Sequence, residues 1–212
     1  MKIPGSSLVR FPGNDPKLML QMPSGGRQNT ENSQLITAAT VCLVVFGILA
    51  IVDGVYYHDI KYKLYQDKES ILEHIYHTVR AVMFPIMMYC LFAHDFGGVL
   101  MIVGIGAVSI DFIMLIFDVK EEGRSRNRYG GLSNDEYMNH VFANTFHFVA
   151  IALILAAKPA AAWTIDPSFA LGRPYPQVTA WLGSAFVAGG VIAALLHFWQ
   201  WSQYFSRKVA QS

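Results

Sequence analysis

The sequence predicts an all-α polytopic membrane protein built as a bundle of five transmembrane helices. Three observations predict it. Hydrophobic residues make up 53% of the 212 and charged residues only 15%, a balance too apolar for an ordinary soluble domain. The apolar residues fall into five blocks, at about 35–57, 70–94, 97–119, 133–157 and 178–204, each close to the roughly 20 residues that a bilayer core requires. The stretches between them are short, rich in turn residues, and more basic on one side than on the other.

Residues 1–33 are rich in Pro, Gly, Ser and Asn and lack the apolar run of a signal peptide. They are expected to form an irregular extracytoplasmic tail, disordered or bound to a partner subunit, ahead of a five-helix domain over 34–206. The first span is apolar until Asp53. A basic connection with His58, Lys61, Lys63 and Lys68 leads to the second span, where Pro85 should kink the helix. His94-Asp95-Phe96-Gly97-Gly98 reads as a tight turn. The third span carries Asp111 deep inside and Asp118 near its end. Lys120 to Leu132 is expected as a charged loop before the fourth span. The fifth span ends in an aromatic belt, Trp199, Trp201, Tyr204 and Phe205.

Counting Lys and Arg in the short connections gives the orientation. Lys61, Lys63, Lys68, Lys120, Arg124, Arg126, Arg128, Arg207 and Lys208 lie on one side; Lys158, Arg173, Lys17 and Arg27 lie on the other. The positive-inside rule puts the C-terminus in the cytoplasm and the N-terminus outside. The near-neutral net charge of +1 gives no reason to expect nucleic acid as a partner. Cys42 and Cys90 both lie in apolar blocks, so neither a disulfide framework nor a thiolate metal site is expected.

One motif organises the polar residues. Ser70-Ile71-Leu72-Glu73-His74-Ile75-Tyr76-His77 and Ser133-Asn134-Asp135-Glu136-Tyr137-Met138-Asn139-His140 both read S-x-x-E-x-x-x-H. Glu and His four apart share one helix face, and His147 continues the second stripe. A capping box would account for the two glutamates but not for the histidines. Asp53 precedes the first copy and Asp118 the second at similar separations, a weak internal repeat of two helical hairpins. Asp111 is the deepest acid. Burying it costs about 2.5–3.5 kcal/mol on insertion scales, so it should meet His147 or Arg80. His58 and His94 are expected at the two membrane interfaces with a solvated edge.

With the orientation above, the histidines and acids share the cytoplasmic half. His77, His140, His147, Glu73, Glu136, His74, Asp111 and Asp118 are the candidate metal ligands. Mixed carboxylate and imidazole donors suit iron, manganese or zinc, and Glu and His from successive helices are how di-iron bundles are built. The expected function is a metal-dependent membrane oxidoreductase or hydroxylase, with one metal or two, acting on a lipid-like substrate. Two alternatives stand beside it: a non-catalytic accessory subunit of a larger membrane complex, and a bis-histidine haem b electron-transfer protein. Histidine-rich membrane hydroxylases and desaturases carry HxxxH and HxxHH boxes; here only His74-x-x-His77 occurs, and membership does not follow.

Overall fold

The structure, a computed structural model, describes residues 24–165 and 175–210. Among these residues the chain is helical, without strands, and five helices are long and apolar enough to cross a membrane. They are α1 Ser24–Ile51, α2 Ile71–Met88, α3 Gly98–Ser125, α4 Asn134–Ala156 and α5 Gln177–Ala210. Residues 1–23 of the expected tail lie outside the described residues. Its remainder is helical, because α1 starts at Ser24 rather than at the apolar boundary. Hydropathy marks where a helix turns apolar, and the polar run Thr30–Asn32 is simply the wet end of the same helix.

Two helices change winding at one end. α1 continues into a π-helical stretch, Val52–Lys61, and α2 into a shorter one, Tyr89–Ala93. The expected charged loop after the third span is mostly helix. α3 runs through Glu121 and Glu122 to Ser125, since Lys, Glu and Arg are good helix formers wherever water can reach them. Gly130 and Gly131, with φ of 89° and 98°, then reverse the chain, and the Gly131 N–H closes onto the Arg126 carbonyl at 3.0 Å. That turn pins the backbone of Arg126.

The helices pack as two groups. α1 lies along α4, while α2 lies along both α3 and α5. The backbones of α3 and α4 barely approach, so long polar side chains fill the space between the groups. At the other end a dry core forms from Leu43, Met87, Met88, Leu91, Phe92, Met101 and Ile154. The outward faces remain apolar, as at Ile48, Phe112, Ile113, Ile116, Ile192 and Leu195. Without hydrophobic drive between helices in lipid, close approach depends on small residues. A Cβ on Gly183 would stand 2.6 Å from the backbone carbonyl of Phe92. Gly183→Val should therefore cost about 1–3 kcal/mol or more by overpacking, read as a lowered Tm in detergent. Gly189→Ala, with nothing within 4 Å of the new methyl, should leave Tm in place. Equal Tm for both variants would mean α5 is free to shift.

Candidate metal centre

The two glutamates of the repeated motif converge on one buried arginine. Arg126, fully buried, donates from Nη1 and Nη2 to the Glu73 carboxylate at 2.8 and 3.0 Å. Its Nε and Nη2 reach Glu136 Oε1 at 2.7 and 2.6 Å. Ser125 Oγ also donates to Glu73, and the guanidinium lies 4.8 Å over the Tyr62 ring. Burial alone would lower the Arg126 pKa, but Glu73 and then Glu136 outweigh it and push the pKa above the usual arginine value. Neither glutamate completes a capping box: at the second copy Ser133 Oγ accepts from the Glu136 N–H at 3.3 Å, but the Glu136 carboxylate goes to Arg126 rather than back to the cap. Ser70 makes no such bond to α2; its hydroxyl donates to Asp67 at 3.2 Å instead.

Beside this clamp the histidines and acids gather. His140 Nε2 meets Asp53 Oδ1 at 2.5 Å, and its Nδ1 meets Glu122. His77 Nε2 faces Asp118 Oδ1 at 3.2 Å and Glu73 Oε1 at 3.9 Å. His58 Nε2 sits 3.8 Å from both Asp53 and Glu73. Three sets bring ligand atoms within 4.8 Å of one another: Asp53, His58 and His140; His58, Glu73 and His77; and Glu122, Glu136 and His140. His58 and His140 each belong to two sets. Buried His58 Nε2 and Glu136 Oε2 have no hydrogen-bond partner, which buried polar atoms rarely tolerate. The donor types and the unpaired atoms fit a divalent transition metal, whose ligand bonds run about 2.0–2.2 Å.

A second layer lies deeper. Arg80 donates from Nε to Asp111 at 3.0 Å and from Nη2 to Asn144 at 3.0 Å, and approaches Asp118 at 3.4 Å. His147 Nε2 stands 3.4 Å from the other oxygen of Asp111. The deepest acid thus meets both of the partners that insertion cost demanded. His147 is in none of the three sets and packs between Phe46 and Phe148, at 4.5 and 5.0 Å.

His74 stands apart from the carboxylates. Its ring stacks on His197 at 5.0 Å and lies 5.2 Å from Trp201. One residue on from Glu73, it points about 100° away around the helix. Conversely, His58 is part of the cluster and 8% exposed, not a solvated interfacial residue. Its position follows from the π-helical winding of Val52–Lys61. Bonds from i to i+5 widen the turn, so His58 comes back over Asp53, where α-helical winding would have turned it away. Asp53, Glu122 and Arg126 also belong to the site. Their signals were the acid ending span one, the four-residue step from Asp118 to Glu122, and an arginine in a loop assumed to be wet. His94, at the far end, contacts Tyr89 and Phe96.

The internal repeat takes a spatial form. Asp53 of α1 pairs with His140 of α4, and Asp118 of α3 faces His77 of α2. Exchanging the first hairpin for the second maps each contact on the other, maps the α1–α4 packing on the α2–α3 packing, and leaves Arg126 between Glu73 and Glu136. A cavity of about 640 Å³ runs from these side chains into an apolar region lined by α1 and α5. Comparison with protein families, with curated proteins and with solved structures returns no match.

Proposed function

We propose that this chain is an integral membrane oxidoreductase or hydroxylase that holds one or two transition-metal ions in its histidine–carboxylate cluster and acts on a lipid-like substrate. The observation that carries the proposal is a surplus of buried acid. Glu73, Asp111, Asp118, Glu122 and Glu136 are buried and Asp53 is half-buried beside them; among the described residues two guanidiniums oppose them, those of Arg80 and Arg126, which leaves four negative charges over when all six are ionised. Isolated buried charge is expensive. Protonating His58, His77, His140 and His147 together would balance it, but would set cations side by side, with the His58 and His77 rings 4.4 Å apart. Two divalent ions supply the same charge and leave the imidazoles neutral, as ligation requires.

The chain's own residues then have distinct tasks. Asp53 and Glu122 face the two ring nitrogens of His140, and Asp118 faces Nε2 of His77; a bound ion would replace one carboxylate contact at each ring, and the other would orient it. Arg126 fixes Glu73 and Glu136 so that each carboxylate keeps its remaining lone pairs aimed inward. Arg80 and Asp111 close the floor of the cavity. Its apolar walls exclude water and suit an alkyl or isoprenoid chain. Bound iron or manganese would supply one-electron chemistry; zinc would not. The carboxylates crowding His77 and His140 support this reading over haem b, whose ligation uses imidazoles without them.

The outward apolar faces support membrane insertion, and the basic connections support a cytoplasmic C-terminus. The test is elemental analysis of protein purified without chelator. Stoichiometric iron or manganese in the wild type and in His74→Ala, with loss in His58→Ala/His140→Ala, is the expected result. Stoichiometric zinc would replace the redox reading with Lewis-acid chemistry. Trace metal only would leave the accessory-subunit reading, in which these residues do structural work.

A further inference from the structure

One face of α5 lines the cavity for most of the helix. Leu182, Ala185, Phe186, Gly189, Ala193 and Leu196 recur three and four residues apart, a single stripe about 21 Å long at 1.5 Å per residue. The stripe ends beside the metal-ligand candidates, where buried His58 Nε2 lines the same cavity without a hydrogen-bond partner. The cavity is therefore amphiphilic along its length, polar at one end and apolar at the other.

It also opens sideways. α1 and α5 are joined near one end by the Thr40–Thr179 hydroxyl pair at 2.8 Å and at the other by Gln200 donating to Asp59 at 2.7 Å. Between those ties, cavity-lining residues of α1 such as Ile48 and Ile51 are exposed to the surroundings. The opening faces where lipid would be.

The adjacent glycines in this wall differ. A Cβ on Gly190 would fall 2.8 Å from the Phe84 ring and 3.0 Å from Pro85 Cδ, so Gly190 lets α5 close on α2. A Cβ on Gly189 meets nothing within 4 Å. Nothing in the packing of the described residues calls for glycine there, yet a side chain at that position would project into the groove.

We infer that the α5 groove holds one unbranched alkyl chain, its small polar end at the histidine–carboxylate cluster, and that Gly189 determines how long a chain fits. The inference rests on the lipid-like substrate proposed above and specifies it. The chain enters between α1 and α5 from the membrane, so its polar end, not its tail, meets the reacting centre.

The experiment uses the full chain in lipid nanodiscs and hexadecanol bearing a diazirine at the tail end. Crosslinks read by mass spectrometry should concentrate at Leu182–Phe186. Octanol, dodecanol and hexadecanol compete. In Gly189→Leu, hexadecanol labelling should fall about tenfold, equivalent to about 1.4 kcal/mol, while competition by octanol for the remaining site is kept. Unchanged Tm shows that the variant is folded, and Gly189→Ala gives an intermediate loss. Labelling spread evenly over the lipid-facing helices, or unaltered by Gly189→Leu, overturns the inference. So does equal competition by dipalmitoylglycerol. Metal content, measured on the same preparations, separates the two claims. Groove labelling without metal sinks only the redox reading, and metal without groove labelling sinks only this one.

Discussion

Arg126→Ala is expected to prevent accumulation of folded protein. The substitution removes the guanidinium bonded to both Glu73 and Glu136 and leaves two carboxylates, 1% and 0% exposed, with only Ser125 still donating to Glu73. Breaking one buried pair costs about 3–5 kcal/mol, and here two break at once, against a total stability of about 5–15 kcal/mol. Arg126→Lys should rescue little, because an ammonium cannot donate to both carboxylates in the forked geometry observed. The informative comparison is Arg126→Met/Glu73→Leu/Glu136→Leu. Replacing a complete buried ion set by apolar side chains is commonly neutral or stabilising, so this triple variant should accumulate folded protein again, with a Tm in detergent near that of the wild type. A single Arg126→Ala variant with wild-type Tm would show that water reaches these carboxylates.

Asp111→Ala should be the next most damaging change, at about 3 kcal/mol. It strands the Arg80 guanidinium and the His147 ring in the deepest polar layer. The loss sits at the lower end of the range for buried pairs because Asn144 and Asp118 keep hold of Arg80. Asp111→Asn retains an acceptor for Arg80 Nε and should cost less than alanine. Arg80→Met/Asp111→Leu should be more stable than Asp111→Ala alone. Thermal unfolding of the four proteins checks the ordering; equal values for Asp111→Ala and wild type would mean that the layer is hydrated.

The helices and the deepest contact were legible because both follow from one strong term, the cost of polar groups in an apolar medium. Asp111 had to find Arg80 or His147, and it finds both. Terms that depend on backbone winding were not legible. Nothing in Val52–Lys61 announces a π-helix except Gly54 and neighbouring aromatic residues, so the sequence points to a solvated interfacial His58 where the structure buries it in the cluster. Arg126 was lost for a related reason: its loop looks wet by composition, yet the turn at Gly130 and Gly131 folds the arginine inward. For His74 the sequence held the answer, since its helical angle already separated it from Glu73 and His77.

The crosswise pairing has a consequence for how such a molecule comes into being. Ribosomal synthesis delivers α1 first, and Asp53 emerges long before His140 exists to receive it. The Asn139 amide that donates to the Leu49 carbonyl at 3.2 Å arrives equally late. Neither hairpin owns a finished set of partners; each carries half of the other's. Glu73 in the second helix stays without its arginine until Arg126 follows the third. The Asp53–His140 pair therefore closes only when the fourth helix arrives, whereas Asp118 can reach His77 as soon as the third helix is made.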